Sequence, residues 1–348
     1  MNTKTMTKID DLHAMKQKID RFKKAFVPYG AARLVEAELE KIHHLGHLGS
    51  HGESANCLLI TGESGSGKTA SLRAHEQRYP VVHEPFRDRR PVLYVDTPAR
   101  CSIKSLAEVI AVKLGIPKPS GSVATLTERI AHHLKHQGVE LLIIDEFHHL
   151  VDRKSQAVAF DVADWVKTLL NEGLVPIVLA GLPSAKKVLE YNEQLQRRSI
   201  GHIALQPFNW DADRAEFLSV LKALETVLPV PCDLGDEATA FRIHSFSTGR
   251  IGYITQLLEV ASLIALDEKA GVIDHSILAR AIERLLGSSE AVFNPFRVSP
   301  VQALAPANAS IPDHSRVTRL RGSTKKASFD QFIAGNNLGY GNAGTAPA

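Results

Sequence analysis

Residues Leu58 to Thr69 read LLITGESGSGKT, an apolar run that leads into a glycine-rich segment ending in a lysine and a threonine. From Gly62 onward the segment matches the pattern G-x-x-x-x-G-K-[ST], and helix-compatible residues follow over 70–77. Glycines permit the backbone curl in which successive N–H groups point inward at anionic oxygens. The stretch therefore predicts a strand, a phosphate-binding loop and a helix in succession.

This loop is expected to hold the phosphates of a nucleoside triphosphate, with ATP and Mg²⁺ as cofactors. A helix that begins near Lys68 places its positive dipole end beneath the phosphates, and the Lys68 ammonium can reach the β- and γ-phosphates. The Thr69 hydroxyl can ligate Mg²⁺. A glycine-rich turn that matches by chance is the alternative, but it does not account for the flanking strand and helix. The residues expected to bind the cofactor here are Gly62, Glu63, Ser64, Gly65, Ser66, Gly67, Lys68 and Thr69.

A second polar motif follows a later apolar run. Residues 141–144 are four aliphatic side chains, and Asp145 and Glu146 come directly after them. Ligands gather at the carboxyl ends of parallel strands, so both acids are expected beside the phosphate loop. Asp145 is expected to hold Mg²⁺ with Thr69, and Glu146 to polarise the water that attacks the γ-phosphate. A strand that simply ends on two solvated acids is the alternative.

Two arginines follow the next predicted strand, residues 175–181, and the helix after it. Arg197 and Arg198 lie at the end of that helix, where a guanidinium can reach a neighbouring subunit's nucleotide and neutralise developing charge. A basic helix end that favours its own dipole is the alternative, and the sequence does not separate the two arginines. Ser184 is the polar residue near this strand end that is a candidate for sensing the γ-phosphate.

Histidines recur at helical spacing at positions 43, 47 and 51 and again at 132 and 136, and His148 and His149 follow the two acids. A metal site needs further Cys or carboxylate ligands that converge with the histidines, and the sequence indicates no such set. Polar helix faces are the better explanation for the spaced histidines. His148 and His149 can still shape the nucleotide site.

Composition and charge are those of an ordinary globular chain. Of 348 residues, 44% are hydrophobic and 23% charged, and the net charge of +3 does not by itself indicate a nucleic-acid partner. Basic residues cluster within 4–24 and 316–326, where solvated arms and phosphate-backbone contacts are both open. Three scattered cysteines, no apolar run near the roughly 20 residues of a membrane span and no secretory signal predict a cytoplasmic protein without a membrane partner.

Strands alternate with helices through the first half of the chain, and each strand is a near-continuous apolar run. This order predicts an α/β fold with a parallel sheet covered by helices on both faces. Residues 80–91 are predicted as a loop, and only helices are predicted from Trp210 onward. The expected domains are a basic amphipathic N-terminal segment over 1–29, an α/β nucleotide-binding domain over 30–208, an all-helical lid domain over 209–296 and a mostly disordered tail over 297–348.

Several motifs, taken in order, resemble those of the TniB/TnsC group of AAA+ ATPases encoded by transposons. The resemblance covers about residues 30–296. Walker A and B motifs are shared by AAA+ proteins in general, whereas the DExHHL and QLxRR elements are more specific. The motifs are TGESGSGKT at 61–69, IIDEFHHL at 143–150, AGLP at 180–183, NEQLQRR at 192–198 and STGRIGYI at 247–254.

The resemblance implies an AAA+ P-loop NTPase that hydrolyses ATP and forms a homo-oligomeric ring or helical filament on double-stranded DNA. It also implies that the protein links a TniQ-type target-selection protein to a DDE transposase, with hydrolysis resetting the assembly. DNA contacts in this group go to the phosphate backbone with little sequence preference. Arg100, Lys104 and Lys118 are the candidates for such contacts, although each is also explained as an ordinary solvated residue. Gly252 occupies the place of a sensor arginine found in many AAA+ proteins, so either Arg250 is the candidate for that nucleotide contact or the role is absent.

Three other functions stay open at this point. They are a replication-initiator or helicase-loader-like AAA+ ATPase, a nucleotide-gated scaffold with negligible turnover, and a signalling NTPase that never touches DNA. The motifs barely separate the first of these from a transposition regulator, which is the function that the more specific elements favour.

Overall fold

The computed structural model describes residues 3–47, 55–85, 87–151, 156–286 and 294–298. It forms two compact units, residues 28–206 and a second unit made of residues 1–27 with the chain from 207 onward. Each unit is considered by itself below. The tail predicted over 297–348 lies outside the described residues from position 299 onward.

Unit 28–206 is built on a five-stranded sheet whose strands all run parallel. Its order across the sheet is β4-β5-β6-β1-β7, and a separate two-stranded hairpin pairs β2 with β3. The strands are β1 (Cys57–Gly62), β2 (Val82–His83), β3 (Asp88–Arg89), β4 (Val92–Asp96), β5 (Leu141–Asp145), β6 (Ile177–Gly181) and β7 (Ser199–Leu205). Strands β1, β5 and β6 are buried along their whole length, as expected for a parallel sheet covered on both faces. The predicted α/β fold is therefore confirmed.

Helices cover both faces of this sheet and form the whole of the second unit's regular structure within the described residues. Helices α2 to α8 belong to unit 28–206, and α1 with α9 to α12 belong to the other unit. The helices are α1 (Thr3–Lys24), α2 (Gly30–His47), α3 (Lys68–Arg78), α4 (Ile103–Lys113), α5 (Val123–His136), α6 (Gln156–Gly173), α7 (Lys187–Glu190), α8 (Glu193–Arg198), α9 (Trp210–Glu225), α10 (Glu237–Ser247), α11 (Ile251–Asp267) and α12 (His275–Leu286).

Short polar side chains fix where several helices begin. The side chains of Ser102, Ser122, Asn192, Asn209 and Asp236 each accept a hydrogen bond from a backbone N–H of the first turn of the helix that follows. Such caps satisfy N–H groups that have no partner inside the helix. They define the start of α4, α5, α8, α9 and α10.

Two strand regions are absent from the sequence-based prediction. Strand β7 was not predicted because it is an edge strand with alternating burial, so it lacks the continuous apolar run that marks the central strands. The prediction of a loop over 80–91 is wrong in part, because β2 and β3 pair there through only two residues each. Pairs that short have no detectable periodicity.

The interpretation of the spaced histidines as polar helix faces is wrong for His43. Its side chain is buried, and its Nδ1 lies 3.2 Å from Nε2 of the equally buried His75 on α3. The other ends of the pair meet carboxylates, with His43 Nε2 at 3.2 Å from Glu140 Oε2 and His75 Nδ1 at 3.1 Å from Glu36 Oε1. Arg78 pairs with both Glu36 and Glu40 beside this cluster. The histidines therefore tie α2, α3 and the start of β5 together.

The second unit packs helices on helices. Phe217 of α9, Ile243 of α10, Leu257 of α11 and Leu278 of α12 are among its fully buried side chains. Helix α1 contacts α11, and Lys23 forms an ion pair of 2.8 Å with Glu259. No helix within the described ranges is both long and apolar enough to cross a membrane.

The buried histidine pair makes stability depend on pH. Burial lowers the pKa of both His43 and His75, so the native unit binds fewer protons than the unfolded chain near the ordinary histidine pKa of about 6.5. The stability that the two neutral histidines contribute is present above that pH. It is lost as the pH falls toward the lowered pKa values of the native state. We expect the free energy of unfolding to decline below about pH 6.5 by at most about 1.4 kcal/mol per pH unit for each histidine.

Urea unfolding between pH 8 and pH 5.5 measures this decline. A Trp210→Phe background leaves Trp165 as the fluorescence reporter of unit 28–206. His43→Gln should flatten the pH dependence, whereas the exposed control His132→Gln should retain it. An unchanged slope in His43→Gln would contradict the assignment.

Candidate functional site

The candidate site lies where the carboxyl ends of β1, β5 and β6 meet. Strand β6 lies between the other two, with Thr61 of β1 opposite Gly181 and Ile144 of β5 opposite Leu179. The residues after each strand end therefore converge on one edge of the sheet. This edge is where ligands bind in parallel α/β sheets.

The loop between β1 and α3 can be formed only with glycine at its tight positions. Gly65 and Gly67 have φ angles of 80° and 95°, in the left-handed region. At Gly62 an added Cβ would lie 2.6 Å from Ser66 Oγ and 2.7 Å from the carbonyl oxygen of Leu205. The backbone is thus curled and closely packed ahead of the α3 N-terminus, where helix N–H groups can bind an anion.

Tyr29 supports this loop from the N-terminal side. Its side chain is buried, and its hydroxyl donates a 2.8 Å hydrogen bond to the carbonyl oxygen of Ser66. Tyr29 was not singled out from the sequence. The sequence does not indicate this contact, because Tyr29 and Ser66 are far apart along the chain.

Lys68 is buried at the first position of α3. Its Nζ donates to the carbonyl oxygens of Gly62, at 2.7 Å, and Glu63, at 3.0 Å. A buried ammonium over a cradle of backbone N–H groups creates a positive site, so the residues present suit a phosphate chain.

Thr69 and Asp145, predicted from separate motifs, are brought into direct contact. Thr69 Oγ1 donates to Asp145 Oδ2 at 2.6 Å, and the Asp145 side chain has no exposed surface. The Glu146 backbone N–H donates to Asp145 Oδ1 at 2.8 Å. A hydroxyl and a carboxylate at this distance are the hard oxygen ligands that Mg²⁺ takes beside substrate phosphates.

Tyr94 is a functional candidate that sequence reasoning missed. Its hydroxyl lies 2.7 Å from Asp145 Oδ2 and 2.9 Å from Asp96 Oδ1, so its single proton lies between two carboxylate acceptors. Burial and the adjacent Asp145 carboxylate raise the pKa of the Tyr94 phenol, which keeps it a proton donor. The Arg73 guanidinium lies 3.4 Å from the Tyr94 ring centroid and donates to Asp96 at 2.8 Å. The only sequence signal was a tyrosine in a buried strand.

Glu146 is held in an unusual backbone conformation. It has φ 53° and ψ 29°, in the left-handed region that non-glycine residues rarely adopt, and its side chain is partly exposed. Burial and Asp145 raise the pKa of the Glu146 carboxyl, and Lys68 acts in the opposite direction. Strained backbone of this kind often occurs at functional sites, where it aims a side chain.

His148 links this region to the end of β6. The imidazole is buried, and burial lowers its pKa to about 3, so the ring is neutral at physiological pH. Its Nδ1 lies 3.4 Å from Glu146 Oε2 and 3.4 Å from the backbone nitrogen of Leu182. Nearby, Ser184 Oγ is buried without a hydrogen-bond partner in the described part of the chain.

The two candidate arginines differ in their surroundings. Arg198 is half-buried and hydrogen bonded to Asn171 on α6. Arg197 is exposed, and no hydrogen bond or ion pair holds it within the described residues. Of these two arginines, Arg197 is therefore the one whose guanidinium can extend from the surface without breaking a contact.

The remaining predicted residues belong to other segments of the chain. Arg100, Lys104 and Lys118 are exposed in the segment between β4 and α5, and Arg100 and Lys118 have positive φ angles of 57° and 46°. Arg250 is buried at the start of α11, with its guanidinium 5.6 Å from the Tyr253 ring centroid. Their roles toward DNA and nucleotide remain predictions.

The expectation that no carboxylates converge with the histidines is wrong for the described residues. Glu146, His148 and His149 have potential ligand atoms within 4.8 Å of one another, as do Glu36, Glu40 and His75. The second set joins two helices, so spacing within one helix could not reveal it, whereas the first lies within residues 146–149, where the histidines follow the acids. The second set is already bridged by Arg78, and the first contains the candidate catalytic carboxylate.

Three solved structures illustrate the fold. The Orc1 protein of Aeropyrum pernix, solved in complex with DNA, is 20% identical with a TM-score of 0.52 over 76% of this chain and 67% of that chain. Cdc6p from Pyrobaculum aerophilum is 15% identical with a TM-score of 0.55 over 78% and 72% of the two chains. The ORC2 protein of Aeropyrum pernix, in ADPNP–ADP complexes, is 15% identical with a TM-score of 0.54 over 82% and 74%. The likeness confirms the predicted AAA+ fold.

The family comparison agrees with the motifs. No match is found among curated proteins. A family model described as bacterial TniB protein matches residues 18–209, which is more than half of the 348-residue chain. The matched range contains the phosphate loop, Asp145, Glu146 and both candidate arginines. The chain belongs to the TniB family and has the AAA+ ATPase fold.

Proposed function

We propose that this chain binds and hydrolyses ATP with Mg²⁺ and acts as a regulator of DNA transposition. The observation that carries the catalytic part is the 2.6 Å contact between Thr69 and Asp145, with Glu146 next in sequence. Thr69 and Asp145 are 76 positions apart in the chain and belong to separate motifs, and their contact supports one shared site. The regulatory part rests on membership of the TniB family.

Each residue has a defined task in this proposal. The 62–67 loop and Lys68 bind the phosphates, and Thr69 with Asp145 would hold Mg²⁺. Bound Mg²⁺ neutralises charge that develops on the β- and γ-phosphates. Glu146 accepts a proton from the water that attacks the γ-phosphate, and its Oε2 lies 3.4 Å from His148 Nδ1.

The proposed assembly is a ring or helical filament of this chain on double-stranded DNA. Exposed Arg100, Lys104 and Lys118 are the proposed contacts to phosphate backbone, which needs charge but no base readout. The proposed protein partners are a DDE transposase and a TniQ-type target-selection protein. Hydrolysis would disassemble the complex and reset it.

Turnover and assembly are tested together on the full chain. Wild type should form rings or filaments on double-stranded DNA, seen by negative-stain microscopy, with ATP or a non-hydrolysable analogue but not with ADP. Lys68→Ala should abolish this assembly. Glu146→Gln should assemble with ATP but lose about 10²- to 10⁴-fold in kcat, because the general base is gone. Lys187→Ala, an exposed lysine on α7, is the control.

The outcomes separate the competing functions. Assembly lost in Lys68→Ala with Glu146→Gln indistinguishable from wild type would indicate a nucleotide-gated scaffold. Absence of salt-dependent DNA binding in every nucleotide state would indicate a signalling NTPase. Recovery of a replicative helicase instead of a transposase in a pulldown would indicate a helicase loader. Each of these results contradicts the proposed function.

Arg197 is proposed to complete the site of a neighbouring subunit. It is exposed and unrestrained within the described residues, whereas Arg198 is hydrogen bonded to Asn171 of its own chain. A guanidinium supplied in trans stabilises the charge that develops in the transition state. This raises kcat by about 10³- to 10⁵-fold. Arg197 is therefore the better candidate of the pair.

Arg197→Ala should lower the kcat of the assembled protein by about 10³-fold and leave nucleotide affinity unchanged. Arg198→Ala, the matched control, should lose far less. Mixing Arg197→Ala with Glu146→Gln should restore part of the turnover, because each variant supplies what the other lacks. Mixtures as inactive as the separate variants would rule out a role in trans.

A further inference from the structure

His148 occupies a position between two parts of the candidate site. It lies in a single turn of 3-10 helix, Phe147–Leu150, directly after Glu146. Its ring is only 4% exposed, although an imidazole needs hydrogen-bond partners when buried. Both groups near its Nδ1 belong to the site: the Glu146 carboxylate and the backbone N–H of Leu182, each at 3.4 Å.

One ring nitrogen cannot serve these two groups at once. A carboxylate only accepts hydrogen bonds, so contact with Glu146 requires a proton on Nδ1. A backbone N–H only donates, so contact with Leu182 requires Nδ1 to be bare. The ring is neutral and carries a single proton, which leaves two tautomers with one partner each. Whichever partner binds His148 excludes the other.

The competing donor lies close to the phosphate loop. Leu182 directly follows Gly181, which pairs with Thr61 at the start of the loop. The approach is tight, because a Cβ added at Gly181 would lie 3.0 Å from the His148 backbone nitrogen and 3.2 Å from its Nδ1. A small shift of β6 relative to the loop therefore changes the distance from Leu182 to His148. His148 Nδ1 thus lies within 3.4 Å of both the backbone nitrogen that follows β6 and the Glu146 carboxylate.

We propose that His148 is a positioning residue for Glu146, which it holds through Nδ1–H and releases when Nδ1 instead accepts the N–H of Leu182. The position of the β6 end relative to the phosphate loop thereby determines whether His148 holds Glu146, the group that activates water. This inference rests on the proposed hydrolysis of ATP. It assigns His148 no contact with nucleotide or water.

The test compares variants of the full chain. His148→Phe keeps a ring of similar size but removes Nδ1, and it should lower kcat by about 10- to 100-fold with KM for ATP unchanged. His148→Asn restores an amide able to donate to Glu146 or accept from Leu182, so it should recover most of the lost kcat. His244→Phe, which replaces a buried histidine of the helical unit bonded to the Phe208 carbonyl, controls for general destabilisation and should keep kcat.

A double-mutant cycle shows whether the effect passes through Glu146. Adding His148→Phe to Glu146→Gln should cause no further loss, because the group being positioned is already disabled.

Two results would overturn the inference: an unchanged kcat in His148→Phe, or an additive loss in the double variant. The failure of the two proposals can be told apart. Glu146→Gln as active as wild type would refute the proposed catalytic function and this inference with it. Loss of activity in Glu146→Gln with none in His148→Phe would refute the inference alone.

Discussion

The contact between Thr69 and Asp145 is the interaction on which the rest of the site depends. A carboxylate without exposed surface is tolerated only when its oxygens are hydrogen bonded, and Asp145 meets the hydroxyls of Thr69 and Tyr94 and the N–H of Glu146. These donors come from α3, β4 and the turn after β5. Satisfying one buried group therefore fixes the phosphate-loop helix against two strands of the sheet.

Crowding at the strand ends adds a second constraint. Gly62 and Gly181 lie at the ends of adjacent strands, and neither position has room for a Cβ without displacing Ser66 or His148. Glu146 adopts a left-handed backbone beside them. The loop, the candidate base and the end of β6 are thus packed so closely that a change in one is transmitted to its neighbours. Such packing suits a site in which ligand occupancy has to alter the position of a catalytic group.

The sequence predicted the parts of this site that depend on local pattern. The phosphate loop follows from glycine spacing between a strand and a helix, and Asp145 and Glu146 follow from an apolar run ending in acids. Both strands are central, so their burial is continuous and easily recognised. The helices from Trp210 onward were also predicted from local pattern, since they are long and periodic.

The parts that were missed depend on contacts between distant residues. Tyr29 reaches Ser66, Tyr94 reaches Asp145, and His43 reaches His75 from another helix. A single tyrosine or histidine within an apolar segment gives no indication of the partner it will meet. Strand β7 was missed because an edge strand is only half-buried and lacks a continuous apolar run. Local pattern located the motifs, whereas tertiary packing determined which side chains support them.

The most direct test of the nucleotide site is a structure of the full chain with a non-hydrolysable ATP analogue and Mg²⁺. We expect the phosphates to lie within the 62–69 loop and Mg²⁺ to lie next to Thr69 and Asp145. Lys68 Nζ should have moved from the Gly62 and Glu63 carbonyls to phosphate oxygens. An analogue bound elsewhere would contradict it. An empty loop at a saturating concentration of the analogue, with Lys68 Nζ still hydrogen bonded to the two carbonyls, would also contradict it.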